Sequence, residues 1–240
     1  MKIEKKRIIQ GVSISVGLAV LGVFALNGWA LNQKAGEDSV VVTVNETKIT
    51  RGQVDEKIGE MLGPQAGMIP PEKMVEVRNQ VDGKVIENMI IEALLTDAVN
   101  KQGITVNDQE IDDALTKIRE TVPPDVDFQE YLKEKGLSEQ KLRKMLSQDL
   151  RIRKLLEGQL AGISSPTDGE LMTFYKENAD KFKSPENKET TVPFSEAKKS
   201  ISDYLLGQKK QDAVRAYIDG LKTGASIVYN RESPETKNPT

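Results

Sequence analysis

The chain has 240 residues, 34 basic and 37 acidic groups, 38% hydrophobic and 5% aromatic residues, and neither cysteine nor histidine. That length can bury the core of one or two compact units, while the two missing residue types exclude Ser-His-Asp and Cys-His nucleophiles, His-liganded zinc, haem, iron–sulfur sites and disulfides. Residues 1–34 hold five basic groups and one acid against a net charge of −3 overall, so the remainder carries −7, which repels phosphate backbones and argues against a nucleic-acid partner.

Met1 to Arg7 contains four basic residues, and Ile8 to Leu26 comes next without a charge. A basic flank before an apolar run directs the rest of the chain across a bilayer. Residues 1–35 are therefore read as a signal anchor or signal peptide. The run approaches the ~20 residues that span a membrane. This favours an uncleaved anchor with Trp29 at the outer interface; Gly28-Trp29-Ala30 offers the alternative, cleavage after Ala30. The body is expected outside the cytoplasm, attached to the membrane through this segment, or free of it if cleaved.

Val40 to Val44 is a β-branched run, which predicts a strand ending in a turn at Asn45-Glu46-Thr47. Thr50 with Gln53 forms a capping box for a helix to about Leu62, stopped by Gly63-Pro64. Glu72 to about Gln102 reads as the longest helix, apolar nearly all round in its second half and hence central. Gly103 ends it. Asn107 and Glu110 cap the next helix, which Pro123-Pro124 closes. A short helix carries Phe128, Tyr131 and Leu132 and closes at Gly136. Ser138 opens a longer one, and Gly162 to Pro166 breaks the chain. Thr167 and Glu170 form a third capping box for a helix ending near Phe182.

Residues 187–191 form a short polar linker. Ser195 is expected to cap a long helix whose apolar positions are interrupted at Gly207 to Gln211 and which Gly224 ends. Ile227-Val228-Tyr229 is a second strand, and 231–240 is polar, Pro-containing and expected to be disordered. Two lone strands are most stable paired with each other. The expected fold is mainly α, with a small two-stranded pairing of the two strands after an N-terminal hydrophobic helix.

Acidic clusters at Asp108, Glu110, Asp112, Asp113 and at Asp125, Asp127 lack calcium-loop spacing: counted from Asp125, position six is Glu130 and position twelve is Gly136. Helix capping and solvated faces account for them. No glycine loop has phosphate-binding spacing, and no cofactor is expected.

The order of segments resembles an exported foldase family, that of SurA, PpiD and PrsA. Val42-Thr43-Val44-Asn45-Glu46-Thr47-Lys48-Ile49-Thr50 is similar to its opening strand and helix start. Ile86 to Leu95 with Gly103 to Ile111 resembles its central helix and the capped one after it. Thr167 to Leu171, Tyr175 to Asn178 and Phe182 to Glu186 resemble the approach to its parvulin domain. Val192 to Ala197 with Ile227-Val228 resembles the segment on the far side of that domain. The resemblance implies a helical SurA-N-like chaperone domain over 36–186, completed by 192–230. A parvulin domain needs about a hundred residues, and only 187–191 separates the two flanks. Prolyl isomerase activity is therefore not carried over.

The resemblance then implies an ATP-independent periplasmic holdase for unfolded exported or outer-membrane polypeptides, with self-association left open and the inner membrane as a second partner through the N-terminal helix. The alternative is a structural or adaptor protein docking on one envelope or translocation partner. Holding many clients needs adaptable apolar surface. The loop with Met61, Leu62, Met68 and Ile69 places large apolar residues where no helical stripe explains them, the alternative being a loop folded onto the core. Phe128, Tyr131 and Leu132 either line the same groove or pack inside.

Overall fold

The computed structural model describes residues 39–63, 69–183 and 191–230. The expected membrane segment, Met68, residues 187–190 of the linker and the 231–240 tail lie outside them. Among the described residues no helix is long and apolar enough to cross a membrane. They form seven α-helices and three strands, which divide into a larger unit, 39–157 with 217–230, and a smaller one, 158–216.

The larger unit starts with a hairpin. β1 (Val40–Val44) turns at Asn45-Glu46 into β2 (Thr47–Thr50), and β3 (Ile227–Tyr229) pairs on the other side of β1. The sheet therefore has three antiparallel strands in the order β2-β1-β3, with a register irregularity between Val40 and Val42. The expected pairing of β1 with β3 is present, but the two-stranded expectation is corrected by β2. Four residues are too few to show a period, and the last of them also caps the next helix. Thr50 accepts from Gln53 N, and Gln53 Oε1 accepts from Thr50 N at 2.9 Å.

Asn45 joins three elements. It is the described non-glycine residue with a left-handed backbone, φ 53°, a conformation that asparagine tolerates better than most residues. Its Nδ2 donates to Asp97 Oδ2 at 2.8 Å, and its Oδ1 accepts from Ser226 N at 3.0 Å. Its backbone N–H donates to Ser226 O at 2.8 Å.

α1 (Arg51–Leu62) and α2 (Pro71–Lys101) cover the sheet. Proline at the first position of α2 suits a helix start, where its missing N–H is no loss. Ile90, Leu94, Leu95, Ala98 and Val99 make a wide buried stripe on α2, as expected of a helix enclosed on several sides. Val42, Val44, Ile49, Val54, Ile58, Val85, Ile90 and Leu94 form one core, with Leu221 and Ile227 packed against it. Burial of each such side chain stabilises by about 1.5–3 kcal/mol.

Gly103, at φ +63°, leads out of α2. α3 (Asp108–Arg119) starts on the Asn107–Glu110 capping box and ends before Pro123-Pro124, at Glu120. α4 (Phe128–Glu134) is capped by Asp127, whose carboxylate accepts from Gln129 N and Glu130 N. α5 (Glu139–Leu160) comes after Gly136, at φ 66°. Two of the four acids clustered on α3 are engaged by α5: Asp112 pairs with Arg143 at 2.5 Å and Glu110 with Lys154 at 2.7 Å. The Lys154 ammonium, then the Asn107 N–H, hold the Glu110 carboxyl below its ordinary value.

In the smaller unit, α6 (Asp168–Glu177) ends at Asn178 and a 3-10 turn continues to Phe182, so the expected single helix to Phe182 is two elements. α7 (Phe194–Thr223) runs unbroken through Gly207, which is buried. Ser195 is not its cap. Pro193 O takes the first helical bonds, from Glu196 N at 3.0 Å and Ala197 N at 3.1 Å, which places Pro193 at the cap and Ser195 inside the helix. The last turns of α7 belong to the larger unit, where Lys222 pairs with Glu87.

Leu171, Ala197 and Ile201 are the core of the smaller unit. Tyr175 stacks near Phe182 and Phe194, with ring centroids 4.9 and 5.5 Å apart, and donates to Val192 O at 2.6 Å. These contacts hold together the chain on either side of residues 184–190. Lys183 and Thr191 form an antiparallel bridge, and Val192 N donates to Phe182 O at 2.8 Å.

Lys209 bonds Glu170 at 2.7 Å, and this bond, with those from Thr167, pulls the Glu170 carboxyl from 4.5 to about 2. A depressed carboxyl pKa stabilises the fold above its unfolded value and loses that contribution as pH falls through the folded value. Carbon-detected NMR titration is expected to place the Glu170 midpoint at about 2. Lys209→Met should move that midpoint upward; an unchanged midpoint would show that the lysine is not the cause.

Candidate functional site

In the larger unit, three helices turn one stripe each toward a shared groove of about 400 Å³, within the range of small binding pockets. Residues three and four apart lie on one helix face. α1 contributes Gln53, Glu56, Lys57 and Glu60; α2 contributes Met89, Glu92, Ala93 and Thr96; α5 contributes Lys141, Met145 and Gln148. Leu137 and the β2 residues Thr47, Lys48 and Ile49 complete it.

The floor is apolar and the rim is polar. Met89 and Ala93 are half-buried against the sheet core, and Met145 packs against the cluster around Leu115, Leu132, Leu137 and Leu142. Two of the seven methionines thus line one groove; the thioether is flexible and polarizable and repacks around varied partners. On the rim, Lys57 bonds Glu60 at 3.2 Å, and Gln148 Nε2 reaches Glu92 Oε1 at 3.3 Å and Thr96 Oγ1 at 3.1 Å. Among the described residues no group of three His, Cys, Asp or Glu side chains is placed to hold a metal ion. The arrangement can bind an amphipathic segment.

Sequence reasoning misses this groove. Met89 and Met145 each read as part of an ordinary core stripe, and only the fold shows that the stripes face one another. The available signal is a thioether on each of two helices flanked by charges at helical spacing.

The described residues among those that sequence reasoning selects lie elsewhere. Met61, near the end of α1, is 52% exposed, Leu62 packs partly on the sheet core, and Ile69 is half-buried before α2. Met68 lies outside the described residues. Phe128 and Tyr131 do come together with Leu132, around the core cluster with Leu115, Leu137 and Leu142. Arg119 lies over the Phe128 ring at 4.8 Å and Lys135 over Tyr131 at 5.7 Å. Leu132 is 1% exposed, so packing is its role and it offers no surface to a partner. None of the described members of either set lines the groove.

Comparison with known proteins agrees with this architecture. The chain is 30% identical over 146 residues to the chaperone SurA of Nitrosospira multiformis, covering 60% of this chain and 32% of the relative. It is 23% identical to the chaperone SurA of Pseudomonas putida, covering 89% and 50%, and 22% identical to the foldase protein PrsA of Clostridium perfringens, covering 99% and 69%. The chain thus spans about a third to a half of the length of these SurA relatives. Among solved structures, one from a study of PEB4 and Cj1289, described as two structurally related SurA-like chaperones of Campylobacter jejuni, superposes with a TM-score of 0.57. It shares 17% identity, with 81% of this chain and 100% of that chain covered, a likeness of fold. The model of the SurA-like N-terminal domain matches residues 2–156, and the chain belongs to that family.

Proposed function

We propose that the protein is an ATP-independent holdase chaperone that binds unfolded exported polypeptides, on the periplasmic side of the inner membrane or in the periplasm, without prolyl isomerase activity. The observation that carries this reading is the groove of the larger unit, with a methionine-bearing apolar floor and a charged rim, in a chain whose relatives are named chaperones and foldases. Where the resemblance places a parvulin domain, Lys183 and Thr191 pair directly across seven residues, and the chain has no histidine. Binding of this kind is broad and weak, because flexible apolar side chains discriminate little between partners.

The full chain is expected to slow aggregation of chemically unfolded citrate synthase, monitored by light scattering, at a near-stoichiometric ratio. No protection at several-fold excess would remove the proposal. Met89→Gln with Met145→Gln is expected to raise the amount of chain needed roughly tenfold, since losing about 1.4 kcal/mol of apolar contact is a factor of ten. In vivo crosslinking should return many polypeptides. One dominant protein would instead point to an adaptor.

A further inference from the structure

The edge of β2 beside the groove has an unused hydrogen-bonding capacity. Alternate residues of an antiparallel strand bond to opposite neighbours. Asn45 N bonds Ser226 O and Asn230 N bonds Val41 O, so the odd residues of β1 serve β3 and the even ones serve β2. Val44 pairs with Thr47 and Val42 with Ile49, which turns the N–H and C=O of Lys48, the residue between, away from β1. No backbone or side-chain partner within the described residues meets them. Successive strand side chains point to opposite faces. A cavity touched by Thr47, Lys48 and Ile49 in succession therefore runs along the edge of the strand.

Charge indicates what lies there. The lining balances in number, with Lys48, Lys57 and Lys141 against Glu56, Glu60 and Glu92. Glu60 is held by Lys57, and Glu92 accepts from Gln148. Lys48 and Lys141 are both exposed and pair with no carboxylate among the described residues. Among the described residues Lys48 and Lys141 thus stand without an ionic partner beside two acids, Glu56 and Glu92, that also have none, and Lys48 is the cation on the strand edge, where a residue of an added strand lies directly across from it.

We infer that this groove binds its polypeptide as an added β-strand: an extended segment pairs its main chain with Lys48, lays an apolar side chain against Met89 and Met145, and presents an acidic side chain to Lys48 and Lys141. The inference rests on the holdase reading and adds to it the conformation and charge of the bound segment. Main-chain pairing accepts almost any sequence, and side-chain pockets add selectivity. Three residues of edge span about 10 Å, so each engagement is short and releases readily.

The test uses the full chain and a nine-residue peptide alternating threonine and valine around a central glutamate. Its twin carries N-methyl groups on the backbone amides along one edge. Titration calorimetry should show the methylated twin binding at least tenfold more weakly. Hydrogen exchange at the Lys48 amide, read by NMR, should slow at least tenfold in the complex. Replacing the central glutamate by lysine should weaken binding several-fold, and added salt should shrink that difference. Lys48→Pro, which deletes the outward N–H, should abolish binding, while Lys48→Ala should retain it within about threefold.

Equal affinity for the methylated twin, or unchanged exchange at Lys48 in the complex, would overturn the inference. So would failure of the unmodified peptide to bind. The peptide pair needs no variant, so a misfolded Lys48→Pro protein leaves the test intact. Aggregation suppression is measured separately: a chain that protects citrate synthase but binds both peptides alike keeps its holdase role and loses this binding mode.

Discussion

Asn45→Ala is expected to destabilise the larger unit by about 3 kcal/mol, read as a fall in the urea midpoint at unchanged slope. Two terms add. The amide's bonds to Asp97 and to Ser226 N disappear, and a hydrogen bond to a charged partner is worth more than a neutral one. The left-handed backbone at φ 53° then falls on alanine, which tolerates it less well than asparagine does. Asn45→Gly separates them, since glycine adopts that backbone freely while losing both side-chain bonds; it should be less destabilising than alanine. Asn45→Asp sets a carboxylate against Asp97 and should be worse than glycine at neutral pH. If all three variants unfolded at the wild-type midpoint, the joint between hairpin, α2 and β3 would have no energetic weight.

Leu132→Ala is expected to cost about 3 kcal/mol, as large-to-small changes in closed cores do. The side chain is 1% exposed among Leu115, Leu137 and Leu142, so the cavity left by truncation cannot fill with solvent or collapse easily. Met61→Ala, at a position 52% exposed, should change stability by no more than about 0.5 kcal/mol. Urea unfolding of the two variants side by side checks the contrast. If Leu132→Ala kept full stability while weakening client protection, Leu132 would belong to a working surface.

The difference between those residues marks how far a sequence can be read. Caps are local, and the boxes at Thr50–Gln53, Asn107–Glu110 and Thr167–Glu170 form as their spacing predicts. So do the left-handed glycines after α2 and α4. The pairing of β1 with β3 is also legible, because an unpaired strand is costly and these two are the strands that stand out. β2 is hidden because its four residues double as a turn and a cap. The start of α7 is misplaced because Ser195, two residues after Pro193, resembles a cap, while the Pro193 carbonyl takes that place. The groove is least legible of all. Its walls come from residues between 47 and 148, and no window of sequence shows which helical stripes meet.

The central position of β1 has a consequence for biogenesis. Val44 pairs with Ile227, a partner about 180 residues downstream, and such distant contacts slow folding. At synthesis rates of about 5–20 residues per second, β1 waits roughly 10–40 s for its second neighbour to be made. Through that interval the hairpin presents an open side to whatever nascent chains surround it. A chain proposed to hold unfolded polypeptides is thus, while it is being synthesised, itself a polypeptide in need of holding.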